Sequence, residues 1–152
     1  MEGYRIFKKT FLFSSFLLLY KGKNCEGGEG VKLAVVGSRS LKIENLSDYI
    51  PEGVTEIVSG GAQGVDASAR QWAEANGIPV TEFLPDYDRY GRSAPILRNK
   101  EIAAYCDGML AFWDGKSRGT GHAVKACRAL GKPVRILRLK TDTGSAYQLT
   151  LY

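Results

Sequence analysis

Short apolar runs alternate with segments of helical periodicity from Val31 to Leu139, and nothing else in the chain constrains its fold as tightly. The runs are Val31–Gly37, Glu56–Ser59, Val80–Leu84, Met109–Trp113 and Val134–Leu139. Between them, Leu41–Ile50, Val65 to about Asn76, Pro95–Tyr105 and a segment with Ala123, Val124, Cys127 and Leu130 place apolar residues at helical spacing. Several runs are apolar on both faces, so neither face can meet water. This predicts a parallel sheet covered by helices on both sides. Right-handed crossovers leave few ways to connect it. The expected fold is a doubly wound, Rossmann-like α/β sheet of about five strands in the order 3-2-1-4-5.

At 152 residues the chain is long enough for one domain with a substantial core. Residues 31–139 form the expected domain. Residues 1–30 read as an N-terminal extension, and 140–152 as a polar tail with a weak alternating end. The extension carries a ten-residue apolar run, Phe11–Tyr20, behind Arg5, Lys8 and Lys9. A spanning helix needs roughly 20 apolar residues, so membrane insertion is not expected. No small-x-small cleavage pattern follows the run, and Glu26–Gly30 reads as a flexible linker.

In such sheets, ligands bind beyond the carboxyl ends of the strands where the winding reverses. With the expected order, this point lies between the first and fourth strands. Gly37-Ser38-Arg39 and Asp114–Gly121 end those strands, and Ser59–Gly64 lies beside them. All three loops are rich in glycine. Ser59-Gly60-Gly61-Ala62-Gln63-Gly64 runs straight into a helical pattern at Val65-Asp66. A helix start offers unpaired N–H groups and partial positive charge, which suit phosphate. Gly60, Gly61 and Gly64 would allow close approach, or form a tight turn. Ser59 would donate to a ligand or satisfy the turn. Asp66 has three readings: helix capping, ribose recognition or general base. Arg39 is placed to clamp a phosphate with paired hydrogen bonds. Ser117, Gly119 and Thr120 form a second phosphate cradle. Gly115-Lys116-Ser117 is not a Walker A ending, because Leu110 stands where that motif requires glycine.

Val-Val-Gly-Ser-Arg (35–39), Ser-Gly-Gly-Ala-Gln-Gly-Val-Asp (59–66), Pro-Asp-Tyr (85–87), Arg-Asn (98–99) and Phe-Trp-Asp-Gly-Lys-Ser-Arg-Gly-Thr (112–120) together resemble the SLOG superfamily. The small YspA-type branch is the best match, over about residues 31–139. The resemblance implies a Rossmann-like fold that binds a nucleotide or a nucleotide-derived ligand. It makes Arg98 and Asn99 ligand-binding or loop-bracing residues, where position alone would read Arg98 as solvated. It also implies homo-oligomerisation, since relatives assemble through this domain. The LOG branch carries a catalytic Glu just after its Gly-Thr. Here Gly119-Thr120 is followed by Gly121 and His122, so LOG-type hydrolysis is not carried over.

The expected ligand site therefore comprises Gly37, Ser38, Arg39, Ser59, Gly60, Gly61, Ala62, Gly64, Asp66, Arg98, Asn99, Ser117, Gly119 and Thr120. A sensing or binding module fits best. The alternatives are a nucleotide-processing hydrolase or transferase using Asp66, Asp114 or His122, and single-stranded DNA binding like that of the DprA branch. The net charge of +5 shows no basic stripe, which argues against nucleic acid as a partner. Three scattered cysteines and one histidine exclude a zinc site, and no cofactor beyond the nucleotide-like ligand is expected. The same cysteine usage fits a cytoplasmic protein.

Overall fold

The computed structural model of the chain describes residues 30–139 and 147–151. The N-terminal extension, most of the polar tail and Cys25 lie outside the described residues. The elements are β1 (Val31–Gly37), β2 (Val54–Ser59), α1 (Val65–Ala75), β3 (Val80–Glu82), a one-turn α2 (Tyr87–Tyr90), α3 (Ala94–Tyr105), β4 (Gly108–Trp113), α4 (Arg118–Ala129), β5 (Val134–Leu139) and β6 (Tyr147–Leu151). The sheet order is β3-β2-β1-β4-β5-β6. The first five strands are parallel in the expected order 3-2-1-4-5. β6 then adds an antiparallel edge strand, with Arg135 opposite Leu151. In sequence this segment shows only the weak alternating end of the polar tail.

Alternate residues of each strand face opposite sides, so the continuous apolar runs feed two cores. Leu33, Val35, Ile57, Leu110, Phe112 and Leu137 pack under α1, through Val65, Ala69 and Ala73. Ala34, Val36, Val58, Met109, Ala111, Val134 and Ile136 pack under α3 and α4, through Ile102, Ala103, Ala123, Val124 and Cys127. Burying each of the large side chains stabilises the fold by about 1.5–3 kcal/mol. The start of β4 is fixed by Asp107, whose carboxylate accepts the Lys32 N–H at 2.8 Å. The Lys32 carbonyl accepts the Asp107 N–H in return, also at 2.8 Å. Lys132 closes α3 by donating to the carbonyls of Ala103, Ala104 and Cys106 at 2.7, 2.9 and 2.6 Å. These are last-turn carbonyls that the helix itself leaves unpaired.

Two expectations need correction. Leu41–Ile50 is not an α-helix; only Leu46–Asp48 turns, as 3-10. Asn45, Ser47 and Asp48 are residue types that disfavour a helix interior, and Pro51 ends the segment. Leu46, Tyr49 and Ile50 are nevertheless buried, with Tyr49 edge-on to Phe112 at 5.3 Å. Leu130 is exposed rather than on the core face of α4, because that helix ends at Ala129. Between β3 and α3, residues 85–94 contain α2 and a 3-10 turn at Gly91–Ser93.

Candidate functional site

β1 lies between β2 and β4, so the chain leaves β1 on one side and returns on the other at β4. Beyond the carboxyl ends of these two strands sits a cleft of about 400 Å³. Gly37, Ser38, Arg39, Ala62, Asp66, Arg98, Asn99, Asp114, Ser117, Gly119 and Thr120 line it. The cleft thus gathers most of the residues singled out from sequence. Ser59, Gly60, Gly61, Gly64 and His122 are not among its lining residues. Val36, Ser40, Pro95 and Ala123 are, although the sequence reading did not single them out. Only Ser40 carried a usable signal, its place right after Gly-Ser-Arg.

The loop after β2 is held internally. Buried Ser59 accepts the Gly61 N–H on Oγ at 3.2 Å, so it satisfies the turn. Asp66, 6% exposed, accepts the Ala62 N–H on Oδ2 at 3.2 Å. Burial raises its pKa above the usual carboxylate value, against the opposing pull of the Ala62 N–H and of Arg98. Gly64 has φ +73°, and an added Cβ would collide with the Arg39 carbonyl. That glycine lets the segment after β1 lie on the first turn of α1.

Arg98 and Asn99, adjacent on α3, brace both glycine-rich loops. Arg98 donates from Nη1 to the Gly60 carbonyl at 2.8 Å and from Nε to Asn99 Oδ1 at 3.0 Å. Asn99 donates from Nδ2 to the Gly119 carbonyl at 3.1 Å. A Cβ on Gly60 would lie 2.5 Å from Arg98 Nη1, so the glycine makes room for this brace. Burial lowers the Arg98 pKa, with Asp66 and Tyr87 acting against that and Arg39 reinforcing it. Two guanidiniums therefore face one cleft.

The loop after β4 is pinned from outside the helix it starts. Asp114 Oδ1 accepts the N–H groups of Lys116 and Ser117, both at 2.8 Å. The Ser117 N–H is the larger cause of its lowered pKa. Trp113 donates to the Ser117 carbonyl at 2.9 Å, so its indole braces the loop. Ser117 caps α4, its Oγ accepting the Thr120 N–H and lying 3.1 Å from Thr120 Oγ1. The first turn of α4 contains no acidic residue. Beside it, the Ser38 hydroxyl is 3% exposed and has no close hydrogen-bond partner. Its pull on the Asp114 carboxylate is weaker than those of the Ser117 and Lys116 N–H groups.

Of the three candidate acid–base groups, Asp66 and Asp114 line the cleft but also hold loops, and His122 is exposed on α4. Among the described residues, no group of three or more His, Cys, Asp or Glu is placed to hold a metal, and no helix is long and apolar enough to cross a membrane.

Comparison with known proteins places this geometry in context. A model of the YspA, cpYpsA-related SLOG family matches residues 42–90, which include β2, the following glycine-rich loop and α1. The Gene 61 protein of Mycobacterium phage D29 is 39% identical over 117 residues, covering 68% of this chain and 93% of the phage protein. Among solved structures, DNA processing protein A (DprA) from Streptococcus pneumoniae matches with a TM-score of 0.57 at 21% identity. That match covers 76% of this chain and 53% of the DprA chain, so this chain spans about half its length. DprA from Helicobacter pylori matches with a TM-score of 0.56 at 19% identity, over 75% and 68% of the two chains. These structural likenesses are of fold. They correct one expectation, because the H. pylori protein binds single-stranded DNA. Absence of a basic stripe is therefore no ground for setting nucleic acid aside, since contacts to a few phosphates need only local cations, which net charge does not register. On the family match and the phage relative together, the chain belongs to the YspA, cpYpsA-related SLOG family.

Proposed function

We propose that the cleft binds a nucleotide or nucleotide-derived ligand, with a phosphate seated at the start of α4, and that the protein acts as a binding or sensing module. The observation that carries this reading is the buried Ser38 hydroxyl with no close partner, beside an acid-free helix start. That hydroxyl pulls only weakly on Asp114, and a ligand oxygen would give it a close partner. First-turn N–H groups add donors that the helix cannot use. Arg39 and Arg98 line the same cleft and supply positive charge. Turnover is not favoured, because the two carboxylates in the cleft are engaged with backbone N–H groups. The test is a thermal-shift screen of nucleotides, NAD, ADP-ribose and cyclic nucleotides on the wild type and on Arg39→Ala. A ligand at 100 times its Kd should add about 2.7 kcal/mol of stability. No shift with any phosphorylated compound would reject the reading.

The likeness to H. pylori DprA favours a second reading, in which the phosphate belongs to single-stranded DNA. Binding of a short oligonucleotide that weakens steeply with salt supports it. Failure to bind at low salt rejects it and leaves the first reading standing.

A further inference from the structure

A second cleft of about 200 Å³ adjoins the first, and Arg39 and Ser40 line both. Lys42 and Gln71 also line it, as does the first turn of α1 through Gly64 and Ser68. Its walls are fixed. The Ile43 N–H donates to Ser68 Oγ at 3.1 Å, and Ser68 Oγ donates to the Gly64 carbonyl at 3.2 Å. The Leu41 N–H donates to the Ser38 carbonyl at 3.2 Å. The segment after β1 is thus tied down on both sides of Arg39.

The two clefts differ in charge. The first sets Arg39 and Arg98 against Asp66 and Asp114. The second has Arg39 and Lys42 and no carboxylate among its lining residues. A balanced lobe suits a phosphate together with hydroxyl-bearing sugar, because a carboxylate accepts from hydroxyls. The unbalanced lobe favours further negative charge. Resting on the reading above, we propose that one ligand spans both lobes across Arg39, with a second phosphate held by Arg39 and Lys42. The ligand class is then a nucleoside carrying two linked phosphates rather than a monophosphate.

Calorimetry should compare AMP, GMP, CMP and UMP with the matching diphosphates, on the wild type, Lys42→Gln and Lys125→Gln. Lys125 is exposed on α4 and lines neither cleft, so it controls for net charge. We expect the best diphosphate to bind at least about tenfold tighter than its monophosphate, the scale of one charge-assisted hydrogen bond. Lys42→Gln should abolish that advantage while leaving monophosphate affinity within about twofold, and Lys125→Gln should change neither. Equal affinity for the two classes in the wild type, or equal loss of both in Lys42→Gln, overturns the proposal and leaves the nucleotide reading intact. Binding of neither class overturns the proposal, and the nucleotide reading falls with it only if the wider screen of phosphorylated compounds also gives no shift.

Discussion

The loops after β2 and β4 have the same ingredients: small residues, glycines, a carboxylate and the start of a helix. The fold gives them opposite tasks. In the first, Asp66 lies inside the helix, in its first turn, and accepts the Ala62 N–H. The Gly60 carbonyl is taken by Arg98, and Ser59 satisfies Gly61. Positive charge at the start of α1 thus already has a fixed counter-charge. In the second, Asp114 sits before the helix and pins the turn from outside. The first turn of α4 itself contains no acidic residue, and it shares the cleft with a buried hydroxyl that has no close partner. A carboxylate placed five residues earlier relative to its helix separates the self-satisfied turn from the proposed anion site. The loop that looks most like a phosphate cradle in sequence is built as scaffold, and the other is the proposed cradle.

Glycine substitutions challenge this contrast most severely. Gly64→Ala forces a Cβ into positive φ and against the Arg39 carbonyl, so it should cost about 2–4 kcal/mol. Gly119→Ala meets nothing within 4 Å on a helix. It should be neutral or stabilising by up to about 1 kcal/mol, while blocking a phosphate that approaches the helix start. Chemical denaturation measures both. Equal destabilisation would show that the β4 loop is as tightly built as the β2 loop, and the contrast would fail.

Next in size is Asn99→Ala, which cuts the link between the loops. Asn99 is buried, accepts from Arg98 and donates to Gly119. Its loss should cost about 1–3 kcal/mol by leaving buried polar groups unpaired. Hydrogen exchange should speed up in both loops together. Faster exchange in only one would mean that Asn99 does not couple them.

The carboxylates differ in sign, which pH can read. The pKa of Asp66 is raised, so its ionised form costs stability. That stability is fully present below the unfolded-state pKa and is lost as pH rises through the folded-state value. Asp66→Asn should therefore gain on the wild type as pH rises through that range, and the gain should vanish in acid. For Asp114 the pKa is lowered. Its contribution is present above the unfolded-state pKa and is lost as pH falls through the folded-state value. Asp114→Asn should lose on the wild type only above that range. Melting curves across pH test both, and slopes of the same sign would remove the distinction between the loops.

The sheet was legible because each strand is a continuous apolar run that only a covered parallel sheet tolerates. The cleft was legible because strand order alone brings Gly37–Arg39 beside Ser117–Thr120. Bracing was not. Arg98 reaches Gly60 across 38 residues and Asn99 reaches Gly119 across 20, and no local pattern encodes such pairs. Leu41–Ile50 misled because a 3-10 turn buries Leu46, Tyr49 and Ile50 at nearly the spacing a helix would. Lys42 and Gln71 escaped notice for a similar reason, since they meet only when the segment after β1 is tied to α1.

The smallest expected effect on stability is at Ser38, and it is the most telling. Ser38→Ala removes a hydroxyl that has no close partner, so the unliganded fold should change by no more than about 0.5 kcal/mol, toward greater stability if at all. Ligand affinity should fall by about tenfold, since one hydrogen bond to a charged oxygen is lost. The matching change in the β2 loop, Ser59→Ala, removes the acceptor of the Gly61 N–H and should behave the other way, costing stability first. The two serines end neighbouring strands and are both buried. They differ in whether the fold has already used the hydroxyl. If both variants lose stability and keep affinity, both loops are scaffold, and a phosphate at the start of α4 is excluded.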